Sequence, residues 1–274
     1  MHSGEPVQVR GRALELGAGM WLKTSQGRIE VDASGLCGAQ RCSRMDGIGP
    51  LEHFAASFAL SGIFDWELKV SAADLPLMDG AAGFCKDIRP RSIVWLDVPV
   101  GWRREIRNER GGRLLAQTAD TFQVDSCVEI NGTRHRWCGA EGGLLDCLNA
   151  RTFADVDAFA AAQEAGLLLG CGVGQGILFG PARSLAGENL VRAHDLRLEG
   201  NVLAGAPLRM PSEAAAHKAL DLVGDLSLWL RGLPRLRIEM TGVGHREFHE
   251  LGRALLEELP CSGRVLGARF SRHV

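Results

Sequence analysis

The sequence contains no tyrosine. That absence removes one common acid–base and oxyanion-stabilising side chain, so catalysis would fall to His, Asp, Glu, Lys, Ser, Thr or Cys. There is no Cys-x-x-Cys pair. The eight cysteines (Cys37, Cys42, Cys85, Cys127, Cys138, Cys147, Cys171 and Cys261) are scattered, which fits reduced, buried thiols better than a disulfide scaffold. Nor is there a charge excess: 31 basic and 33 acidic residues give a formal net charge of −2. A partner such as nucleic acid or an anionic membrane would leave a stronger electrostatic footprint. No run approaches the ~20 apolar residues of a membrane span, and the segment Met1 to Pro6 lacks the basic start and apolar core of a signal peptide. A cytoplasmic protein is expected. The 274 residues, 46% hydrophobic and 23% charged, suit one large globular domain or two modest ones.

Strand-like alternation appears at Val7–Val9, Arg28–Val31 and Trp66–Val70. Pro50 opens a helix that reads to Leu60, with Gly62 at its exit. A short helix is expected over Ala81–Ile88, and the break Arg89-Pro90-Arg91-Ser92 is the candidate domain boundary, dividing 1–89 from 90–274. Beyond it, Ile93–Val100 and Val128–Trp137 read as strands. The charge-dense Trp102–Arg113 between them reads as a solvated hairpin because glutamates are interleaved with its arginines. A helix is expected over Ala154–Leu169. The glycine cluster after it follows a helix and lacks a Lys-Ser/Thr ending, so it reads as a turn before the strand Ile177–Phe179. Helices are expected over Glu213–Leu230 and Glu247–Leu259, with a strand at Arg237–Met240 between them. Each half therefore carries a histidine helix, a glycine exit and a strand, which suggests a duplicated α+β unit with a site between the halves.

The chemistry resides in those two helices. His217 and Asp221 lie four apart, so both leave the same face of a helix. An imidazole and a carboxylate so placed can occupy two corners of a divalent metal, which takes N and O ligands at about 2.0–2.2 Å when it is zinc. His53 could supply a third ligand, and Glu52 beside it a base for a metal-bound water, the minimal equipment of a metallohydrolase. Each histidine alone is more often structural, and an i, i+4 His/Asp pair is equally a surface ion pair. Asp225, one turn further, is either an exposed charge or a carboxylate that orients an imidazole.

The segment Gly49-Pro50-Leu51-Glu52-His53-Phe54 through Ile63 resembles the zinc-ligand helix of the UDP-3-O-acyl-N-acetylglucosamine deacetylases, enzymes of lipid A synthesis. Ala73-Asp74-Leu75-Pro76-Leu77-Met78-Asp79-Gly80 is similar to that family's Pro-Glu-Val-Pro-Ile-Met-Asp-Gly, and Ala150-Arg151-Thr152-Phe153 matches its Ala-Arg-Thr-Phe. Leu208-Arg209, Glu213, His217-Lys218, Asp221 and Gly224-Asp225 resemble the second ligand helix, Gly244-His245 a Ser-Gly-His segment, and His2-Ser3-Gly4 a segment near the family's start. The matches fall in family order across nearly the whole chain. The resemblance implies two α+β domains whose helices pack between two sheets. It implies zinc, one per chain with iron as the alternative, on His53, His217 and Asp221, with Glu52 as general base. Thr152 would bond the developing oxyanion, and His245, aligned by Asp225, would donate a proton to the leaving amine. Lys218 would face an anionic part of the substrate, with Phe153 also on the substrate side. The implied reaction is hydrolysis of an N-acetyl or N-acyl amide of a small molecule by a monomer.

The departures concern the substrate. Gly242 stands where the family carries a lysine that helps hold the UDP pyrophosphate. Asp155 and Asp157, among alanines, occupy a segment that lines the family's acyl passage, and imply a less apolar wall. The expected protein is a divergent paralogue acting on an amino sugar or related N-acyl amine. The alternatives are the lipid A enzyme itself and a non-catalytic binding paralogue.

Overall fold

Two strands, each entered from a histidine helix, organise the molecule. The computed structural model describes residues 6–39, 42–76, 78–83, 91–140, 143–168, 170–204 and 207–259. In the first sheet the order is Val9–Ala13, Trp66–Val70, Met20–Thr24, Gly27–Glu30. Trp66–Val70 runs antiparallel to Val9–Ala13 and parallel to Met20–Thr24. In the second sheet the order is Arg103–Arg107, Arg113–Thr118, Leu236–Thr241, Gln123–Ile130, Thr133–Ala140. Leu236–Thr241 is likewise antiparallel to Arg113–Thr118 and parallel to Gln123–Ile130. The similarity of the halves is thus a shared topology, with Arg103–Arg107 as an added edge. Leu236, Ile238 and Met240 face inward while Arg237 and Thr241 face solvent, the alternation of a sheet wetted on one face.

The helices are α1 (Glu52–Leu60), α2 (Val156–Glu164), α3 (Leu185–Ala193), α4 (Glu213–Trp229) and α5 (His245–Glu258). α1 lies between the sheets. Its Phe54, Ala55 and Phe58 pack on Met20, Leu22, Trp66 and Leu68, whereas Ala56, Ala59 and Leu60 join Leu220, Val223, Phe248, Leu251, Ile238 and Met240. Every residue of α1 is buried, as is every residue of α4 except Lys218. Helices enclosed in this way have no solvent face on which to place charge. Their polar residues must therefore meet each other. A third sheet, formed by Phe153–Asp155, Ile177–Phe179, Val202–Ala204 and Arg197–Glu199, carries α2 and α3 on its own apolar cluster of Val156, Phe159, Leu178, Leu196 and Leu203.

Several expectations shift. Val128–Trp137 is not one strand. Asn131 (φ 50°) and Gly132 (φ 74°) turn the chain into a hairpin, as Asn-Gly favours. Of Ile93–Val100, only Trp95–Leu96 is a strand, parallel to Leu233–Pro234. The helix expected from Ala154 starts at Val156, because Asp155 caps it, and ends before Gly166 (φ 74°). α3, capped by Ser184, has no counterpart among the expected elements. Ala81–Gly83 is a turn rather than a helix, and the remainder of that helix, His2-Ser3-Gly4 and the 89/90 boundary lie outside the described residues. The charged hairpin does form, with Glu105 taking Arg107 and Arg113 as partners.

Candidate metal centre and its polar surroundings

α1 and α4 cross where Gly224 meets the backbone of Glu52. A β-carbon on Gly224 would overlap the Glu52 carbonyl oxygen and lie 2.7 Å from its carbon. This close approach brings Glu52 and His53 on α1 to His217 and Asp221 on α4. His217 Nε2 lies 3.3 Å and His53 Nε2 3.7 Å from Asp221 Oδ1, and the two imidazoles meet edge to face at 5.0 Å. His217 Nδ1 is 3.0 Å from the Ala150 carbonyl oxygen. A carbonyl only accepts, so the ring proton sits on Nδ1 and the Nε2 lone pair faces the carboxylate. Asp221 Oδ1 and His53 Nδ1 are buried and have no hydrogen-bond partner. Leaving such groups unmatched costs about 1–3 kcal/mol each. A cation between Asp221 Oδ1 and the two imidazoles would remove the cost at Asp221 Oδ1, and the donor set of two nitrogens and one oxygen, with ligand atoms mutually within 4.8 Å, suits zinc.

Burial and neighbouring charges set the protonation of these groups. Burial pushes His217 down to about 4, helped by His53 and Lys218 and opposed by Asp221, so the ring is neutral near pH 7. Burial works against the Asp221 charge, but Lys218, His217 and His245 outweigh it and hold the carboxyl well below its ordinary value. Lys218 Nζ lies 2.8 Å from Asp221 Oδ2 and 5.6 Å over the Phe153 ring. Burial opposes its charge too, yet Asp221 raises the ammonium above its usual range.

Glu52 and His245 flank the cluster. Glu52 Oε2 accepts from the Ser43 backbone N–H at 2.8 Å. Burial raises its carboxyl against the pull of His245 and His53. His245, the first residue of α5, has Nδ1 2.7 Å from Asp225 Oδ2 and Nε2 3.8 Å from Asp221 Oδ2. Burial opposes its protonation, but Asp225, Asp221 and Glu52 together raise it to about 9. Asp225 is fully buried rather than a surface charge. Thr152 is held by its backbone: its N–H donates to Gly80 O at 2.7 Å, and its carbonyl accepts from Ile177 N at 2.8 Å. Arg151 beside it forms a buried two-point pair with Glu213 (2.8 and 3.0 Å), which fixes the Ala150–Thr152 segment to the start of α4. Phe153 stands edge-on to His217 at 6.3 Å.

The contacts above join His53, His217, Asp221, Glu52, His245, Asp225, Lys218 and Phe153, while Thr152 lies on the segment whose Ala150 carbonyl meets His217. Sequence reasoning missed the polar partners behind them. His249 carried a findable signal, since it repeats the i, i+4 spacing from His245, but Ser43 and Trp229 carried none. Asp155 and Asp157, expected in a passage wall, both hold local backbone in place. Asp155 accepts from Asp157 N and Ala158 N as the cap of α2, and Asp157 accepts from Arg183 N and from Ser184 N and Oγ. Among the described residues no helix is long and apolar enough to cross a membrane.

Residues 1–257 match the family model of UDP-3-O-acyl N-acetylglycosamine deacetylase. Relatives named UDP-3-O-acyl-N-acetylglucosamine deacetylase include that of Chlamydia trachomatis serovar L2, 27% identical over 257 residues, covering 86% of this chain and 81% of the relative. That of Chlamydia muridarum is 24% identical over 284 residues, covering 94% and 91%. The relative from Alcanivorax borkumensis is 26% identical over 275 residues, covering 94% and 84%.

Proposed function

The chain belongs to the UDP-3-O-acyl N-acetylglycosamine deacetylase family, and from that premise we propose that it is a zinc-dependent hydrolase that removes an N-acetyl or N-acyl group from an amino sugar or related amine. The observation that carries the metal assignment is the unpartnered Asp221 Oδ1 facing two imidazoles in a buried site. His53, His217 and Asp221 would hold the ion. When bound, zinc supplies Lewis acidity, polarising a carbonyl and lowering the pKa of a water towards ~7. Glu52, buried and raised, accepts the proton of the attacking water. His245, protonated at neutral pH and held through Nδ1 by Asp225, offers its Nε2 proton to the departing amine. Thr152, on a backbone fixed at both its N–H and C=O, donates to the oxyanion. Lys218, the one half-open residue of α4, meets an anionic part of the substrate beside Phe153.

Gly242 supports a substrate that differs from a UDP-sugar. It adopts φ +62°, a conformation that disfavours a side chain, and its carbonyl accepts from Asn108 Nδ2 at 3.0 Å. The loop is thus shaped around glycine at a position where a cation is expected by resemblance. Elemental analysis of protein purified without added metal tests the metal assignment: about one equivalent of zinc is expected, lost in His217→Ala. A metal-free active protein overturns it. Robust turnover of UDP-3-O-acyl-N-acetylglucosamine would instead retain the metal chemistry and refute the altered substrate.

A further inference from the structure

We propose that Ser43 and His249 are positioning residues that lock the Asp225 carboxylate against His245, with the Trp229 indole setting the direction of their hydrogen bonds. This rests on the assignment of His245 as the acid. His245 and His249 stand one turn apart on α5 and bracket Asp225. Asp225 Oδ2 is taken by His245 Nδ1 at 2.7 Å, and Oδ1 accepts from the Ser43 hydroxyl. Ser43 Oγ lies 2.6 Å from His249 Nε2, and Trp229 Nε1 lies 3.0 Å from His249 Nδ1. All of these side chains are buried, Ser43 and Asp225 completely.

The order of donors follows from the groups themselves. An indole N–H can only donate, so His249 Nδ1 must accept and the ring proton resides on Nε2. That N–H donates to Ser43 Oγ, and the Ser43 O–H is left with Asp225 Oδ1 as its acceptor. The chain of bonds runs Trp229, His249, Ser43, Asp225, and it ends on the carboxylate oxygen that His245 does not use. With both oxygens engaged the carboxylate cannot rotate, and the His245 ring keeps its aim. Ser43 also holds Glu52 through its backbone N–H. Replacing its side chain therefore disturbs the His245 side of the site and leaves the bond to Glu52 in place.

Nitrogen-15 NMR of the histidine-labelled protein, as purified, is the test. His249 is expected as the neutral ring with Nε2 protonated and Nδ1 bare. In Ser43→Ala and His249→Leu the His245 ring signals shift while those of His53 and His217 stay. In His249→Gln, whose amide N–H can reach towards Ser43, the His245 signals return. With an N-acyl amino sugar that the protein turns over, Ser43→Ala lowers kcat about tenfold at unchanged KM, and His249→Gln retains most activity. A His249 proton on Nδ1, a doubly protonated His249, or unmoved His245 signals in both loss variants overturns the proposal. If no N-acyl amino sugar is hydrolysed, the deacetylase assignment fails while the NMR result still decides the hydrogen-bond order. Should Ser43→Ala not fold, the His249 tautomer in the unaltered protein remains decisive.

Discussion

Gly224→Ala separates local preference from tertiary contact because the two predict opposite signs. Gly224 sits inside α4, where alanine should favour the helix by about 1 kcal/mol. The new Cβ, however, would lie 2.7 and 2.9 Å from Glu52 C and Cα and overlap the carbonyl oxygen. Backbone cannot swing aside as a flexible side chain does, so α1 must retreat by about 1 Å, a misfit of the kind that costs about 1–3 kcal/mol. The metal-free protein is therefore expected to lose about 1 kcal/mol net, a fall of roughly 2–4 °C in Tm for a chain of this size. The larger effect falls on metal binding, because His53 rides on α1 while His217 and Asp221 ride on α4. Separating them by about 1 Å should weaken zinc roughly 10- to 100-fold, the range typical of disturbed metal surroundings. Thermal unfolding with and without zinc, together with chelator competition, measures both. At a zinc concentration well above Kd, a hundredfold weaker site loses about 2.7 kcal/mol of ligand-linked stability. A Gly224→Ala protein that is more stable without metal and binds zinc as tightly as before would refute the close-approach argument.

On the proposed assignment Glu52→Ala and His245→Ala should each retain zinc and lose about 10²–10⁴ in kcat, since each would remove a proton-transfer group and leave the proposed ligands; zinc loss in either would reassign that residue. The pH–rate profile should be a bell: activity falls as pH drops through the raised Glu52 value, where the base protonates, and as pH rises through about 9, where His245 deprotonates. The alkaline limb should vanish in His245→Ala, and its persistence there would show that another group titrates. Protonation of His217 competes with metal, so zinc affinity should weaken progressively as pH falls below about 4; an affinity that does not change with pH in that range would argue against His217 as a ligand. Asp155→Ala should lower stability by about 1 kcal/mol through loss of the α2 cap. With Asp155 as a cap alone, it should leave the preference between acetyl and longer acyl substrates unchanged, and an altered preference would place Asp155 in the wall of the substrate passage.

Much of the candidate site was legible because its spacing is local. His217 and Asp221 share a helix face by the 3.6-residue repeat alone, Glu52 and His53 are neighbours, and the apolar runs around them mark enclosed helices. The strand after each histidine helix was equally visible, as was the similarity of the halves. Elements without a strong local signal were misread. The turn at Asn131-Gly132 was hidden inside a run of alternating residues. α3 is short and mostly solvent-facing. The capping roles of Asp155 and Asp157 were not visible because a sequence does not show which backbone N–H groups a carboxylate will meet.

By itself the sequence determined the donor types, their spacing within each helix and the α+β character, since these follow from side-chain chemistry and short-range periodicity. Tertiary structure decided everything that depends on residues far apart in the chain. It set Gly224 against the Glu52 backbone, left Asp221 Oδ1 unpartnered, and brought Ser43, Asp225 and His249 into one hydrogen-bonded chain. Periodicity fixes which face of a helix a group leaves from; only the packing of one helix on another fixes what that group meets and how burial and neighbouring charges then set its proton affinity.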